Sequence, residues 1–188
     1  MSVQLQIFST YDAKRIYTDA ETGAHQNLSI WEPNLPAGFY MIGHFGQQDH
    51  ADYVKGPIPI VKPLDPKAIT SPAGFEQKWN DTGSGGDQDV SFWRVLAPPG
   101  YVAVGDVISI GYNPPSHLNY ACIRSDLVEH GKIGPPIWND RGSGAHKDGS
   151  LWTTQATSYG VTGYFIAQSG YAEPAQVLAQ CLKGVVVQ

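Results

Sequence analysis

The stretch Trp79-Asn-Asp-Thr-Gly-Ser-Gly-Gly-Asp-Gln-Asp-Val-Ser-Phe-Trp93 occurs again, with few changes, as Trp138-Asn-Asp-Arg-Gly-Ser-Gly-Ala-His-Lys-Asp-Gly-Ser-Leu-Trp152. A more divergent version runs Tyr17-Thr-Asp-Ala-Glu-Thr-Gly-Ala-His-Gln-Asn-Leu-Ser-Ile-Trp31. In all three, an opening aromatic residue is followed at fixed distances by an aspartate, a glycine, a serine and a closing tryptophan. Shared positions in register over this length indicate an internal repeat, in which one structural unit is used three times.

The repeat continues beyond this loop motif. The opening aromatic residues stand at positions 17, 79 and 138, so the unit is close to 60 residues long. Each unit ends in an apolar run that carries a cation, at Lys62, Arg124 and Lys183, always 31 residues after the closing tryptophan. We therefore predict one domain over residues 1–188 with repeats at about 11–66, 75–128 and 134–188, and residues 1–10 as a closing strand.

The runs within a unit predict strands. Short segments rich in β-branched and aromatic residues, such as 28–31, 39–45, 101–110 and 164–168, are bounded by Gly, Pro, Asn or Asp. About four strands a unit give three sheets, none of which buries a face alone. The sequence thus predicts an all-β fold, a β-prism of three roughly four-stranded sheets related by pseudo-threefold symmetry. Propellers typically have 4–8 blades, which disfavours that architecture.

Composition agrees with this fold class. Gly and Pro together supply 35 of 188 residues, which is too many for a helical bundle. Only 15% of residues are charged while 41% are hydrophobic, and this excludes a disordered chain. The net charge of −5 and the lack of a Lys or Arg run argue against a nucleic-acid partner. Without a secretory signal or an apolar stretch of bilayer length, we expect a cytoplasmic protein.

The two full copies of the motif, together with Pro98-Pro-Gly-Tyr-Val-Ala-Val-Gly-Asp106 and Cys122-Ile-Arg-Ser-Asp-Leu-Val128, resemble the vacuolar protein sorting-associated protein 62 family. The resemblance covers nearly the whole chain. It implies no enzymatic activity, and it implies a β-prism module like those that target membranes or glycans within larger proteins, including pore-forming toxins. The first copy departs most from the pattern, with Thr18 in place of Asn and Thr22 in place of Ser.

The repeated loop has two main interpretations. In the structural one, the aspartate and serine cap backbone amides of a long hairpin connection and glycines supply positive φ. In the other, each loop binds a sugar through planar polar groups and an aromatic face. The predicted ligand-binding residues are Asp81, Gly85, Gly86, Asp89 and Trp79 in the second unit, Asp140, Gly144, Asp148 and Trp138 in the third, and Asp19, Gly23 and Asn27 in the first.

A calcium site is a weaker alternative for the same loop. Asp81, Asp87 and Asp89 offer the hard oxygen ligands that Ca²⁺ prefers, but the bidentate glutamate that ends an EF-hand loop is absent. No other motif indicates a metal, a cofactor or a nucleophile. We therefore expect no cofactor and no enzymatic activity.

The sequence as a whole predicts a recognition module. Three symmetric weak sites suit a lectin-like, carbohydrate-binding protein, because avidity multiplies weak affinities. The alternative is a membrane- or lipid-targeting module of a defence or pore-forming toxin system. A homo-oligomer is a further possibility, since the open edges of the sheets invite pairing with a second copy.

Overall fold

The all-β prediction is confirmed by a computed structural model, which describes residues 3–116, 118–156 and 160–184. Within these ranges the only helical segments are three 3-10 turns, Pro66–Ala68, Ser125–Leu127 and Gln176–Leu178. The strands are β1 (Leu5–Thr10), β2 (Ala13–Thr18), β3 (Ser29–Pro33), β4 (Tyr40–Met41), β5 (Phe45–Gln47), β6 (Ile58–Pro63), β7 (Ile69–Thr70), β8 (Gly74–Asn80), β9 (Val90–Leu96), β10 (Tyr101–Val102), β11 (Val107–Ile110), β12 (Cys122–Arg124), β13 (Val128–His130), β14 (Lys132–Asn139), β15 (Gly149–Gln155), β16 (Phe165–Ser169) and β17 (Gln180–Leu182).

The described strands form six small sheets, where the sequence predicted three of about four strands. Three of them, the loop sheets, contain the strands on either side of a repeated loop: β2-β3-β5, β8-β9-β11 and β14-β15-β16. The others, the closing sheets, contain the strand that ends each unit: β1-β6-β4, β7-β12-β10 and β13-β17. The strand that ends each unit pairs antiparallel with a strand that precedes that unit: β6 with β1, β12 with β7, and β17 with β13. These pairs join successive units to one another.

The number of sheets differs because two predicted strands are divided. The run 39–45 becomes β4 and β5, and the run 101–110 becomes β10 and β11, with the two parts in different sheets. The chain crosses between sheets at Gly43 and Gly105, where the units converge. A Cβ on Gly105 would lie 2.6 Å from the Ile42 carbonyl oxygen and 2.7 Å from the Tyr164 Cβ. Only glycine permits this approach at the point where the chain crosses from one sheet to the other.

The two largest apolar cores of the described residues lie one in each set of sheets. The core of the loop sheets takes buried aromatic residues from all three units, with Trp79 packed edge-on against Trp138 at 5.4 Å between ring centroids. The core of the closing sheets is mostly aliphatic, with Val61, Ile123 and Leu182 drawn from different units. Because every unit contributes to both cores, none of the units buries its apolar surface alone.

A bulge at the start of each loop motif sets the direction of the opening aromatic residue. The register of the first strand pair shifts between Arg15 and Tyr17, between Gln77 and Trp79, and between Pro136 and Trp138. A bulge inserts one unpaired residue and turns the following side chain to the other face of the sheet. Trp79 and Trp138 consequently point into the core and are 3% and 1% exposed.

Candidate functional site

The repeated loops are held by their buried aspartates. In each unit one carboxylate oxygen, Oδ1, accepts a hydrogen bond from the backbone amide nine residues later. The three distances, in unit order, are 2.7 Å (Asp19 to Leu28), 3.0 Å (Asp81 to Val90) and 2.9 Å (Asp140 to Gly149). All three aspartates are less than 5% exposed. The carboxylate therefore closes the loop on itself, as the structural interpretation of the motif expects.

The tryptophans that open the loops connect neighbouring units. Trp138 Nε1 donates to Asp19 Oδ2 at 2.8 Å, and Trp79 Nε1 donates to the Lys147 carbonyl at 2.7 Å. Trp79 and Trp138 were predicted from the sequence to bind a sugar. This assignment is corrected by their burial, since an indole inside the core offers no face to a ligand. The buried aspartates likewise present no free carboxylate at the surface.

The tips of the loops also contact one another. The His25 amide donates to the Arg141 carbonyl, and the His146 amide to the Thr82 carbonyl, both at 2.8 Å. Each histidine ring covers a glycine of the neighbouring loop, and a Cβ on Gly142 would lie 2.4 Å from the His25 ring. Gly142 has φ of +90°, a conformation that side chains disfavour. The third junction differs, because Glu21 holds the equivalent left-handed position with φ of +69°.

A set of loop residues remains exposed after these contacts are made. Among those predicted to bind a ligand, the exposed ones are Gly23, Asn27, Gly85, Asp89, Gly144 and Asp148, and Gly86 is half-buried. A Cβ on Gly85 would have no neighbour within 4 Å, so the backbone there is open to solvent. The exposed residues form the outer edge of the loop cluster and are the part of it available to a partner.

Tyrosines from the ends of β11 and β16 lie beside two of these exposed aspartates. The Gly111 amide donates to the Asp89 carbonyl, and the Gly170 amide to the Asp148 carbonyl, each at 2.8 Å. These bonds place Tyr112 next to Asp89 and Tyr171 next to Asp148, whose Oδ1 accepts from the Tyr171 hydroxyl at 3.1 Å. We call Asp89 with Tyr112 and Asp148 with Tyr171 the rim sites.

The local environment of the two tyrosines differs. Partial burial, followed by the nearby Asp81 and Asp89 carboxylates, raises the pKa of the Tyr112 hydroxyl above its usual value, so this hydroxyl keeps its proton. The Arg141 guanidinium lies 4.1 Å from the centroid of the Tyr171 ring and covers one face. Within the described part of the chain no cation is stacked on Tyr112, which is 39% exposed. The second-unit rim site therefore has the more accessible ring.

The first unit has no equivalent site. Its position matching Tyr112 is taken by His50, whose Nε2 lies 2.6 Å from the buried Asp19 Oδ1. The calcium alternative also lacks support, because Asp81 is buried and bonded within its loop while Asp87 and Asp89 are exposed. Across residues 3–116, 118–156 and 160–184, no group of three or more His, Cys, Asp or Glu side chains is placed to hold a metal ion.

Each of the first two units contains an acid–base pair, in contact with a neighbouring unit, that the sequence pattern did not reveal. Arg94 Nε donates to Asp106 Oδ2 at 3.0 Å, and the matching positions in the first unit hold Glu32 and His44, 3.5 Å apart. Burial raises the pKa of Asp106, which the Arg94 charge partly offsets. Burial lowers the pKa of His44, which Glu32 partly offsets. The alignment of Asp106 with His44 was visible in the repeats, but their partners on the adjacent strand were not.

The family model for vacuolar protein sorting-associated protein 62 (Vps62) matches residues 2–185. The chain belongs to the Vps62 family. The crystal structure of GNIP1Aa from Chromobacterium piscinae is similar to this member, with 32% sequence identity and a TM-score of 0.84 over 95% of the chain. The match covers 37% of GNIP1Aa, so this Vps62 chain spans little more than a third of that protein. A search of curated proteins found no match. No helix in the described part of the chain is long and apolar enough to cross a membrane.

Proposed function

We propose that this Vps62-family chain is a non-enzymatic recognition module that binds carbohydrate at its rim sites, above all at Asp89 and Tyr112. The observation that carries the proposal is the placement of a tyrosine ring beside an exposed carboxylate in two equivalent positions, with the ring exposed at Tyr112. A sugar is recognised by hydrogen bonds from its hydroxyl groups to planar polar side chains, with its apolar face against an aromatic ring. Tyr112 and Asp89 supply these two kinds of contact.

The surrounding loop suits a rigid site. Asp89 follows a loop that the buried Asp81 closes, and its backbone is bonded to Gly111. A preorganised site loses less conformational entropy on binding than a flexible one. The open backbone at Gly85 adds amide groups within the same loop. In the third unit, Arg141 occupies one face of the Tyr171 ring, so we propose that this rim site is the weaker of the two.

We also propose that the three units stand around a common axis as a β-prism. The two shared cores, each with residues from all units, support this arrangement. In such a prism the rim sites lie on the same loop cluster, and a multivalent glycan could occupy both. Avidity would then raise the apparent affinity above that of either site.

A second candidate function is attachment to a membrane or lipid surface, as a targeting module of a defence or pore-forming system. The observation that favours it is the reuse of this fold within a much longer chain, since the match covers 37% of GNIP1Aa. The exposed loop that begins at Tyr112 and continues through Asn113 and Pro114 would be its contact surface.

A glycan array with the purified chain distinguishes the two candidates. We expect signals that a simple sugar competes away and that Tyr112→Ala abolishes. The matched control is Tyr53→Ala, which removes a tyrosine that is 61% exposed and lies outside the loop cluster. Co-sedimentation with phosphatidylcholine and phosphatidylserine vesicles tests the attachment function. Binding to vesicles together with an empty array would overturn the carbohydrate proposal.

A further inference from the structure

The loops of the two rim sites differ in charge, although the same backbone hydrogen bonds close them. Arg141 and Lys147, both exposed, occupy the third-unit positions that hold the uncharged Thr82 and Gln88 in the second unit. The first unit has Ala20 at the position of Arg141. This guanidinium is therefore a feature of one loop and not of the repeat.

The second-unit loop has the opposite charge. Its exposed charged residues are the carboxylates Asp87 and Asp89, and it contains no cation. In the third-unit loop the position of Asp87 is taken by His146, so the two exposed cations face only the exposed carboxylate of Asp148. Clusters of one sign of charge attract ligands of the other sign. The two rim sites are thus expected to prefer different ligands.

The Arg141 guanidinium is positioned without the use of its hydrogen-bond donors. Its Cζ lies 4.1 Å from the centroid of the Tyr171 ring, where the cation is attracted to the π face. Among the residues that the structure describes, no oxygen or nitrogen accepts from this guanidinium and no carboxylate pairs with it. All five of its N–H donors are therefore available to a ligand. In the second unit, Thr82 likewise lies beside the hydroxyl of Tyr112.

Asp148 gives the same site an acceptor for hydroxyl groups. Its Oδ1 accepts from the Tyr171 hydroxyl at 3.1 Å, and the exposed carboxylate has further lone pairs for a ligand. The two charged groups contact different parts of Tyr171, since Arg141 covers the ring face and Asp148 bonds the hydroxyl. An anionic group would be repelled by Asp148 and attracted by Arg141. A matching ligand therefore carries both an anionic group and hydroxyl groups.

We propose that the third-unit rim site binds a sugar that carries a carboxylate, with the carboxylate in the fork of Arg141 and hydroxyl groups donating to Asp148. A planar guanidinium binds a planar carboxylate through two parallel hydrogen bonds. Lys147 adds a second positive charge to the same loop. This assignment rests on the proposed carbohydrate function and adds the class of sugar: acidic at the third unit, neutral at the second.

Two probes with the same ring test the proposal, methyl β-D-glucuronide and methyl β-D-glucoside, which differ in a carboxylate in place of a hydroxymethyl group. NMR titration of the isotope-labelled full chain follows each site separately, through the backbone amides of Gly170 and Gly111. At Gly170 the glucuronide should bind with a Kd on the order of 1 mM and about tenfold more tightly than the glucoside. At Gly111 the glucoside should bind more tightly.

Exchange of one residue between the two loops locates the preference. Arg141→Thr gives the third-unit loop the second-unit residue and should remove the preference for the glucuronide at Gly170. Thr82→Arg makes the reverse exchange and should create that preference at Gly111. The matched control is Lys132→Thr, which removes a positive charge at an exposed position outside the loop cluster and should change neither site.

The outcomes separate this assignment from carbohydrate binding itself. An unchanged preference in Arg141→Thr, or acetate binding at Gly170 as tightly as the glucuronide, would refute the acidic-sugar site. Carbohydrate binding would still stand if the glucoside binds at Gly111 and Tyr112→Ala removes it. If neither sugar shifts the amides of either site, both proposals are wrong.

Discussion

Arg94 donates from Nε to the Asp106 carboxylate at 3.0 Å, with the aspartate 2% exposed. The first unit places an acid and a base at the same two positions in reverse order, Glu32 on the strand and His44 after the glycine. The third unit has Thr153 and Tyr164 there and no charge. The backbone symmetry is therefore retained while the chemistry of each seam is different.

Removal of the Asp106 carboxylate should be strongly destabilising. Asp106→Ala leaves the largely buried Arg94 without its partner, a change that typically costs about 3–5 kcal/mol. Urea unfolding followed by tryptophan fluorescence measures the loss. The double variant Arg94→Met/Asp106→Leu should recover much of it, because apolar residues of similar size remove the unpaired charge as well. A loss below about 1 kcal/mol in the single variant would contradict a structural role for the pair.

The two aspartates of the second-unit loop should separate structure from binding. Asp81→Ala removes the acceptor of the Val90 amide, so we expect a loss of about 1–3 kcal/mol in the free energy of unfolding. Asp81→Asn keeps an oxygen at that position and should retain most of the stability. Asp89→Ala lies at the surface and should change stability by no more than about 0.5 kcal/mol, yet abolish glycan signals. Equal losses of stability in Asp81→Ala and Asp89→Ala would argue against this division.

His44 should make stability depend on pH. Its Nδ1 accepts from the Ile108 amide at 3.0 Å, and burial lowers its pKa below the ordinary 6.5. The unfolded chain therefore takes up a proton before the folded chain does, and the free energy of unfolding falls as the pH drops below 6.5. One proton limits the slope to about 1.4 kcal/mol per pH unit. Denaturant titrations from pH 7 to pH 5 should show a shallower slope for His44→Gln than for the parent.

The control for this experiment is His25→Gln, at an exposed ring on the loop cluster. This variant makes the same replacement of histidine by glutamine and leaves His44 in place. If both variants have the pH dependence of the parent, His44 does not contribute to it.

Glu21 offers a test of the third loop junction. It has φ of +69°, while its counterparts Gly83 and Gly142 are glycines with φ of +95° and +90°. Left-handed backbone costs a non-glycine residue about 1 kcal/mol or more, so Glu21→Gly should raise the melting temperature. Ala20→Gly, one residue earlier, should lower it, since glycine there only adds freedom to the unfolded chain. A lower melting temperature for Glu21→Gly would show that its side chain makes a contact worth more than the strain.

Some of the candidate site was accessible from the pattern alone. The loops and the positions Gly85, Asp89 and Asp148 all stand out in the repeats. The pairing of Tyr112 with Asp89 does not, because it arises from a backbone bond between Gly111 and Asp89, 22 positions apart in the chain. Periodicity reports which residues are equivalent, and says little about which distant residues touch.

The sequence by itself determined the threefold repeat, the all-β class and the positions of the three repeated loops. Those properties follow from local spacing, since turn residues and β-branched runs act on the backbone within a few residues. Only the tertiary structure decided that Trp79 and Trp138 are core residues. It also decided that two of the predicted strands are each divided in two, so that the strands form six small sheets. The reason is steric: a one-residue bulge reverses the face of a side chain, and the convergence of Gly43, Gly105 and Tyr164 leaves no room for a side chain where the chain crosses between sheets.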